Sequence, residues 1–247
     1  MNKTMSRNRS PFNKKYPISE TADKFAMPES VVSEVVKWHS DKLLREMASD
    51  RAQHGLTMSL IAFCDNRIPN EYLYDVVDGW LGEVLVRKWL DPRIKKLLPD
   101  VVIESAGADA DRVIQYDDPH KISTEPDLLV RRGGIIQPLE IQVSHLERNS
   151  YDMKDGKVGR ACKEDGIFLW VVLEEGRYFL FDPYWQLHET KEIANKAWNG
   201  KMVYRLPAAK TMRRGQTGDL RPGFDKDLLL FRKLTAEKPI DCAPFPQ

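Results

Sequence analysis

The chain has 247 residues, 42% apolar and 30% charged, with a formal net charge of +1; this is the balance of a soluble globular protein of one large domain, or one domain with an appendage. Its three cysteines, Cys64, Cys162 and Cys242, stand far apart with no Cys-x-x-Cys, which argues against a zinc site and points to a reducing, cytoplasmic compartment. The sequence has no apolar run of membrane-spanning length, and its basic N-terminus lacks the apolar segment of a secretory signal.

The small net charge conceals an uneven distribution. Residues 1–19 carry five basic side chains and no acid, residues 201–238 carry ten basic against four acidic, and residues 20–200 sum to −9. Basic ends around an acidic centre fit a metal site flanked by phosphate-binding arms. The plainer reading of such charge runs is solvation.

Residues 1–20 mix Asn, Ser, Pro and Lys and are expected to form a flexible basic arm. Residues 21–68 form an N-terminal helical region. Its first helix is predicted to begin near Pro28, with Glu29 in the first turn, and to end before Gly55. Val31, Val32, Val35, Val36, Leu43, Leu44 and Met47 supply the apolar stripe. A short second helix follows over 56–63. The core is expected over residues 69–206. A helix over 69–90 puts Val76, Trp80, Glu83, Arg87 and Leu90 on one face. Glu83 on such a face needs a partner, and Arg87 stands four residues away. Asp91-Pro92 is predicted to end this helix, with a short helical turn over 94–98. Val101 to Ile103 reads as a strand, Ala106 to Asp111 as a loop, and Arg112 to Tyr116 as a second strand. Asp117, Asp118 and His120 read as turn residues rather than ligands.

The stretch Thr124–Ser144 reads as a β-hairpin. Leu128, Leu129 and Val130 suit one strand, and Arg131-Arg132-Gly133-Gly134 suits the turn. In the second strand Leu139, Ile141 and Val143 point one way, and Pro138, Glu140, Gln142 and Ser144 the other. Asp127 lies beside that polar face. Two carboxylates and an amide oxygen on rigid strands suit a hard divalent cation, Mg²⁺ above all. The plainer alternative is a solvated hairpin face, with Glu140 paired across the strands to Arg131 or Arg132.

A helix capped by Asn149 or Ser150 is then predicted to run to about Glu164, with Lys154, Lys157 and Arg160 as a basic stripe and Val158, Ala161 and Cys162 toward the sheet. Ile167 to Leu173 reads as a strand buried on both faces, and Tyr178 to Phe181 as another. Tyr184 to Trp198 reads as a helix with Trp185 and Trp198 in the core, and Met202 to Leu206 as a last strand. Residues 207–247 form a basic C-terminal extension, in which Arg213, Arg214 and Arg221 sit in a Gly/Pro-rich loop suited to a phosphate backbone.

Pro126-Asp127 followed by Glu140-Ile141-Gln142 resembles the PD-(D/E)XK nuclease superfamily, in its Glu-x-Gln form, with some likeness to competence-associated nuclease-like proteins. The resemblance covers roughly residues 75–182. It implies an α/β, restriction-endonuclease-like core, a mixed sheet flanked by helices, and a Mg²⁺-dependent deoxyribonuclease, with Mn²⁺ as substitute. Asp127 and Glu140 would hold the metal, Gln142 would position the water or metal, and Glu83, after Gly82, would add a further acid. Lys154 or Lys157 would replace the lysine absent at position 142, and Arg160, Arg213, Arg214 and Arg221 would contact DNA. A restriction-type endonuclease, a homodimer if it cuts a palindrome, is the first expectation. The alternatives are a recombination, repair or DNA-uptake nuclease, or a DNA-binding module of the same fold without catalysis.

Overall fold

The computed structural model describes residues 11–63, 67–107, 109–114, 125–196, 200–221, 224 and 228–236, the side chains of 61–63 excepted. The chain divides into two compact units, one made of residues 1–89 with 115–119, the other of residues 90–114 with 120–247. The expected Asp117, Asp118 and His120 turn and Trp198 lie outside the described residues.

In the first unit, α1 (Ile18–Phe25), α2 (Glu29–Met47), α3 (Asp50–Phe63) and the greater part of α4 (Pro69–Leu97) bury an apolar core. From residue 11 onward the chain is packed, contrary to the expected arm. Phe12 and Tyr16 are 0% and 1% exposed, Phe12 stacks on Tyr74 at 4.9 Å, and Lys15 Nζ reaches Asp78 Oδ2 at 2.7 Å. Two large aromatic rings bury enough apolar area to hold a basic segment that composition alone would leave in water.

The first helix ends at Met47, before Gly55 as expected, but two other boundaries are corrected: the second helix begins at Asp50 rather than 56, so that Gly55 lies inside α3, and Pro92 lies inside α4. A proline in a helix interior costs about 3 kcal/mol. Trp89, Leu90 and Ile94, all 0% exposed, bury apolar side chains on either side of Pro92 worth about 1.5–3 kcal/mol each, so packing carries the helix through.

The second unit is mixed α/β. Its main sheet has six strands in the order β1-β2-β3-β5-β6-β9, and a second sheet has the order β4-β8-β7. The strands are β1 (Val102–Ser105), β2 (Leu128–Arg132), β3 (Ile135–Ser144), β4 (Ser150–Lys154), β5 (Ile167–Val172), β6 (Arg177–Phe181), β7 (Lys191–Asn195), β8 (Lys201–Pro207) and β9 (Thr217–Asp219). Helices α5 (Asp155–Glu164), α6 (Pro183–Gln186) and α7 (Leu229–Thr235) flank them, α7 against β3 and α5 against β4 and β8.

The expected hairpin is β2–β3, antiparallel, with Arg132 opposite Ile135. Arg131 and Arg132 belong to the strand, so the turn is Gly133-Gly134 alone, and Gly133 takes φ +57°, a conformation open to glycine at little cost. On its other edge β3 runs parallel to β5, starting at Leu139 opposite Ile167. Pro138 sits just before that pairing begins, where its missing N–H breaks no bond to β5. All six residues of β5 are buried, as the continuous apolar run predicts.

Three further expectations fail. Ser150–Lys154 is a strand, not the start of a helix; Tyr151 and Met153, at 1% and 2% exposure, alternate with polar Ser150 and Asp152, a period of two that the downstream helical pattern masks. Lys191–Asn195 is likewise a strand, paired with β8. The helix over Tyr184 onward stops at Gln186, and Trp185 is 52% exposed rather than core. Arg112 takes φ +58°, which no strand accommodates, and Val113 N–H donates to Asp111 Oδ1 at 2.9 Å, so 112–114 form no strand.

Candidate metal and phosphate site

Asp127 lies immediately before β2. Its main-chain carbonyl accepts from Ala106 N–H at 3.0 Å, which ties it to the end of β1. Its carboxylate Oδ2 accepts from the Ile141 N–H of β3 at 2.7 Å. That bond fixes the side chain beside Glu140. Gln142, two residues further along β3, shares the Glu140 face as strand geometry requires, and its Nε2 donates to Glu140 Oε1 at 3.1 Å.

Lys157, in the first turn of α5, reaches into the same place. Its Nζ donates to Glu140 Oε1 and, at 3.4 Å, to Asp127 Oδ1. The side chains of Asp127, Glu140 and Lys157 are 16%, 6% and 20% exposed. Both carboxylates therefore lie on one side of the sheet and share one positive centre. The solvated-face alternative does not hold for Glu140. Arg131 and Arg132 pair instead with Glu104 and Asp100, at 2.7 and 3.0 Å.

Burial and the charge of Asp127 push the Glu140 carboxyl up to about 8, against the counter-pull of Lys157. Burial alone would depress the Lys157 ammonium; Asp127 and Glu140 outweigh it and raise its pKa. In the metal-free site the two carboxylates thus hold Lys157 as an ammonium. Lys154, at the end of β4, is held below its ordinary value by burial among protein atoms and by the Lys157 cation. It is exposed, and on β4 it is not part of the helical basic stripe expected for it.

Glu140 and Lys157 line a small open cleft with Pro126, Pro138, Arg160 and Ala161 among its walls. Arg160 pairs with Glu164 at 2.8 Å on α5. The other expected phosphate contacts differ in availability. Arg213 is held by the buried carboxylate of Glu189, which the sequence gives no reason to expect because the pair is 24 residues apart. Arg214 and Arg221 are exposed. Glu83 is half-buried on α4, in the first unit.

Among the described residues no group of three or more His, Cys, Asp or Glu side chains comes together. The donor set is two carboxylates and the Gln142 amide. Asp127 Oδ1 and Glu140 Oε1 already converge on the Lys157 ammonium, so the set fits a small cation bound by hard oxygens and completed by water, the habit of Mg²⁺.

The sequence points to none of the second buried charge cluster. Lys233 of α7, 4% exposed, reaches Asp182 Oδ2 at 2.8 Å and pairs with Asp165; Asp182 is 1% exposed.

No protein-family model matches the chain, and no curated protein matches it. Among solved structures it is similar to the Holliday junction resolvase Hjc of the archaeal hyperthermophile Archaeoglobus fulgidus, with 6% sequence identity and a TM-score of 0.31, over 49% of this chain and 85% of that one. Among the described residues no helix is long and apolar enough to cross a membrane.

Proposed function

We propose that this protein is a divalent-metal-dependent deoxyribonuclease of the PD-(D/E)XK type, acting at Asp127, Glu140, Gln142 and Lys157. The observation that carries the reading is the convergence of Asp127 Oδ1, from just before β2, and Glu140 Oε1, from β3, on one cation, the Lys157 ammonium. The lysine absent from position 142 has a counterpart in Lys157, which enters from the following helix.

In this reading Asp127 and Glu140 hold Mg²⁺, for which Mn²⁺ substitutes, and Gln142 Oε1 orients a water or completes the coordination. A bound metal lowers the pKa of its water and offsets charge on the leaving oxygen. Asp127 is held in place by the Ile141 N–H, so its geometry is set before substrate arrives. Lys157 supplies positive charge to the phosphoryl oxygens as they gain charge. Arg160, Arg214 and Arg221 contact the backbone of the DNA; Arg213 does so only if it leaves Glu189. The finer form of the proposal is a restriction-type endonuclease, cytoplasmic and homodimeric.

The test is incubation with supercoiled plasmid, with Mg²⁺ or with a chelator. Cleavage that needs the metal and is lost in Asp127→Ala and Glu140→Ala supports the reading, and undiminished cleavage by either variant sinks it. Discrete fragments mark a restriction-type enzyme. A smear, or cleavage only at branches, marks a recombination or repair nuclease.

A further inference from the structure

The side chains that β4, β7 and β8 place on one face of the second sheet follow from its register. Asp152 faces Arg205, Lys154 faces Val203, and Lys191, Ile193 and Asn195 face Arg205, Val203 and Lys201. Paired residues and their i±2 neighbours share a face. Asp152, Lys154, Lys191, Ile193, Asn195, Lys201, Val203 and Arg205 are therefore on one side. The hydrogen bonds agree, since Arg205 Nε donates to Asp152 Oδ1 at 2.6 Å and Asn195 Nδ2 to Asp152 Oδ2 at 2.9 Å. Among the described residues of the three strands this face carries four cations and one carboxylate, Asp152, which Arg205 and Asn195 hold. Lys154, Lys191 and Lys201 are exposed, whereas Val203, between Lys154 and Ile193, is fully buried.

The face is continuous with the proposed site. Lys154 ends β4 and is followed directly by α5, whose first turn supplies Lys157. Lys201 lies diagonally across the β4–β8 ladder from Lys154, where neighbours are about 7–8 Å apart. That is near the spacing of successive phosphates along one strand, and lysine binds phosphate as a point charge. The Lys154 ammonium is depressed first by its enclosure among protein atoms and then by the neighbouring Lys157 and Lys201 cations, while Glu140 and Asp127 draw it back. A polyanion crossing the face would relieve the repulsion between these cations.

We infer that this face of the second sheet is the backbone-binding half of the site, with Lys154 and Lys201 gripping the phosphates next to the one positioned at Lys157, and Lys191 extending the track. The inference rests on the nuclease reading and deepens it. It moves Lys154 from the chemistry to substrate binding and adds Lys191 and Lys201, which sequence reasoning passed over because each is an isolated lysine in a weak strand.

The experiment is equilibrium binding of a fluorescently labelled DNA duplex to the full chain in chelator, carrying Asp127→Asn so that no cleavage intrudes, across 50–200 mM salt. Each of Lys154→Gln and Lys201→Gln should weaken binding by about five- to tenfold at 0.1 M salt and reduce the slope of log K against log salt by about one, as expected for one lost phosphate contact. Lys95→Gln, at an exposed lysine paired with Asp91, should change neither. Circular dichroism confirms that each variant is folded. If Asp127→Asn protein binds DNA with salt dependence but the two lysine variants keep its affinity and slope, the inference falls while the nuclease reading stands. If it does not bind DNA at all, the track is refuted, and plasmid cleavage by the native chain decides separately whether the nuclease reading survives.

Discussion

Lys157 and Lys233 each reach two carboxylates, Asp127 with Glu140 in one case and Asp165 with Asp182 in the other. The surroundings separate them. Asp182 is also the cap of α6, accepting from Tyr184 N–H at 3.1 Å, and its main-chain N–H donates to Gln186 Oε1 at 2.9 Å. The Asp165 carbonyl takes both Lys233 and Gln137. Each group there closes a backbone element, and the cluster ties α7 to the ends of α5 and β6. Around Lys157, by contrast, one carboxylate, Asp127, takes a backbone bond from the Ile141 N–H, while among the described residues Glu140 hydrogen-bonds to the side chains of Lys157 and Gln142 and opens on a cleft. The same three charges make a clamp when they cap the backbone and a candidate reaction centre when they face one another across an opening.

The comparison predicts its largest effect at the clamp. Lys233→Met leaves Asp182 buried without a counter-charge and should cost about 3–5 kcal/mol, which for a chain of this size lowers the melting temperature by roughly 6–20 °C. Thermal unfolding checks it, and a variant as stable as the native chain would mean the clamp carries no weight. Adding Asp182→Asn should recover part of the loss, because the orphaned charge goes with it.

At the open cluster, Lys157→Met should lower cleavage by about 10²–10³-fold, the loss typical of one preorganised charge donor, while destabilising the chain less than Lys233→Met does. In chelator the variant leaves two carboxylates facing each other. Mg²⁺ should therefore raise its melting temperature more than that of the native chain, since the ion no longer competes with an ammonium. Equal metal-induced shifts in the two proteins would contradict a shared cation position.

A pH dependence follows from Glu140. Its folded pKa, about 8, lies above the ordinary 4.5. The folded state thus holds the proton more tightly than the unfolded state, and this contribution to stability is complete below about 4.5 and lost as pH rises through about 8. Urea titrations of the metal-free chain between pH 5 and 9 should show that decline, and Glu140→Gln should flatten it. Metal binding runs the opposite way, tightening with rising pH and releasing a proton; calorimetry in two buffers of different ionisation enthalpy reads the proton directly. The smallest effect belongs to Arg160→Gln. Breaking its exposed pair with Glu164 should change stability by less than about 0.5 kcal/mol while still weakening DNA binding.

The sequence made the hairpin and the buried strand β5 legible because each rests on a short-range pattern: a Gly-Gly turn between alternating strands, and an unbroken apolar run. The grouping of Asp127 with Glu140 and Gln142 followed from the same period of two. Other features depend on partners far along the chain. β4 and β7 are weak strands made regular by β8, and α7 is fixed by Lys233 against residues 51 and 68 positions earlier. Helix α4 passes Pro92 because burial outweighs a local penalty that sequence reasoning had treated as decisive. For the lysine, the sequence supplied two candidates three residues apart, and only the strand-to-helix switch between Lys154 and Lys157 separates their positions.

The central claim is that the hairpin carboxylates grip a divalent ion. Titration of Mn²⁺ into the metal-free chain, followed by the loss of the free-ion electron paramagnetic resonance signal, tests it without any nucleic acid. The account predicts saturable binding by the native chain that is lost in Asp127→Ala and in Glu140→Ala but retained in Lys233→Met, provided that variant is folded. Binding unchanged in Asp127→Ala, or equal loss in all three, would contradict it.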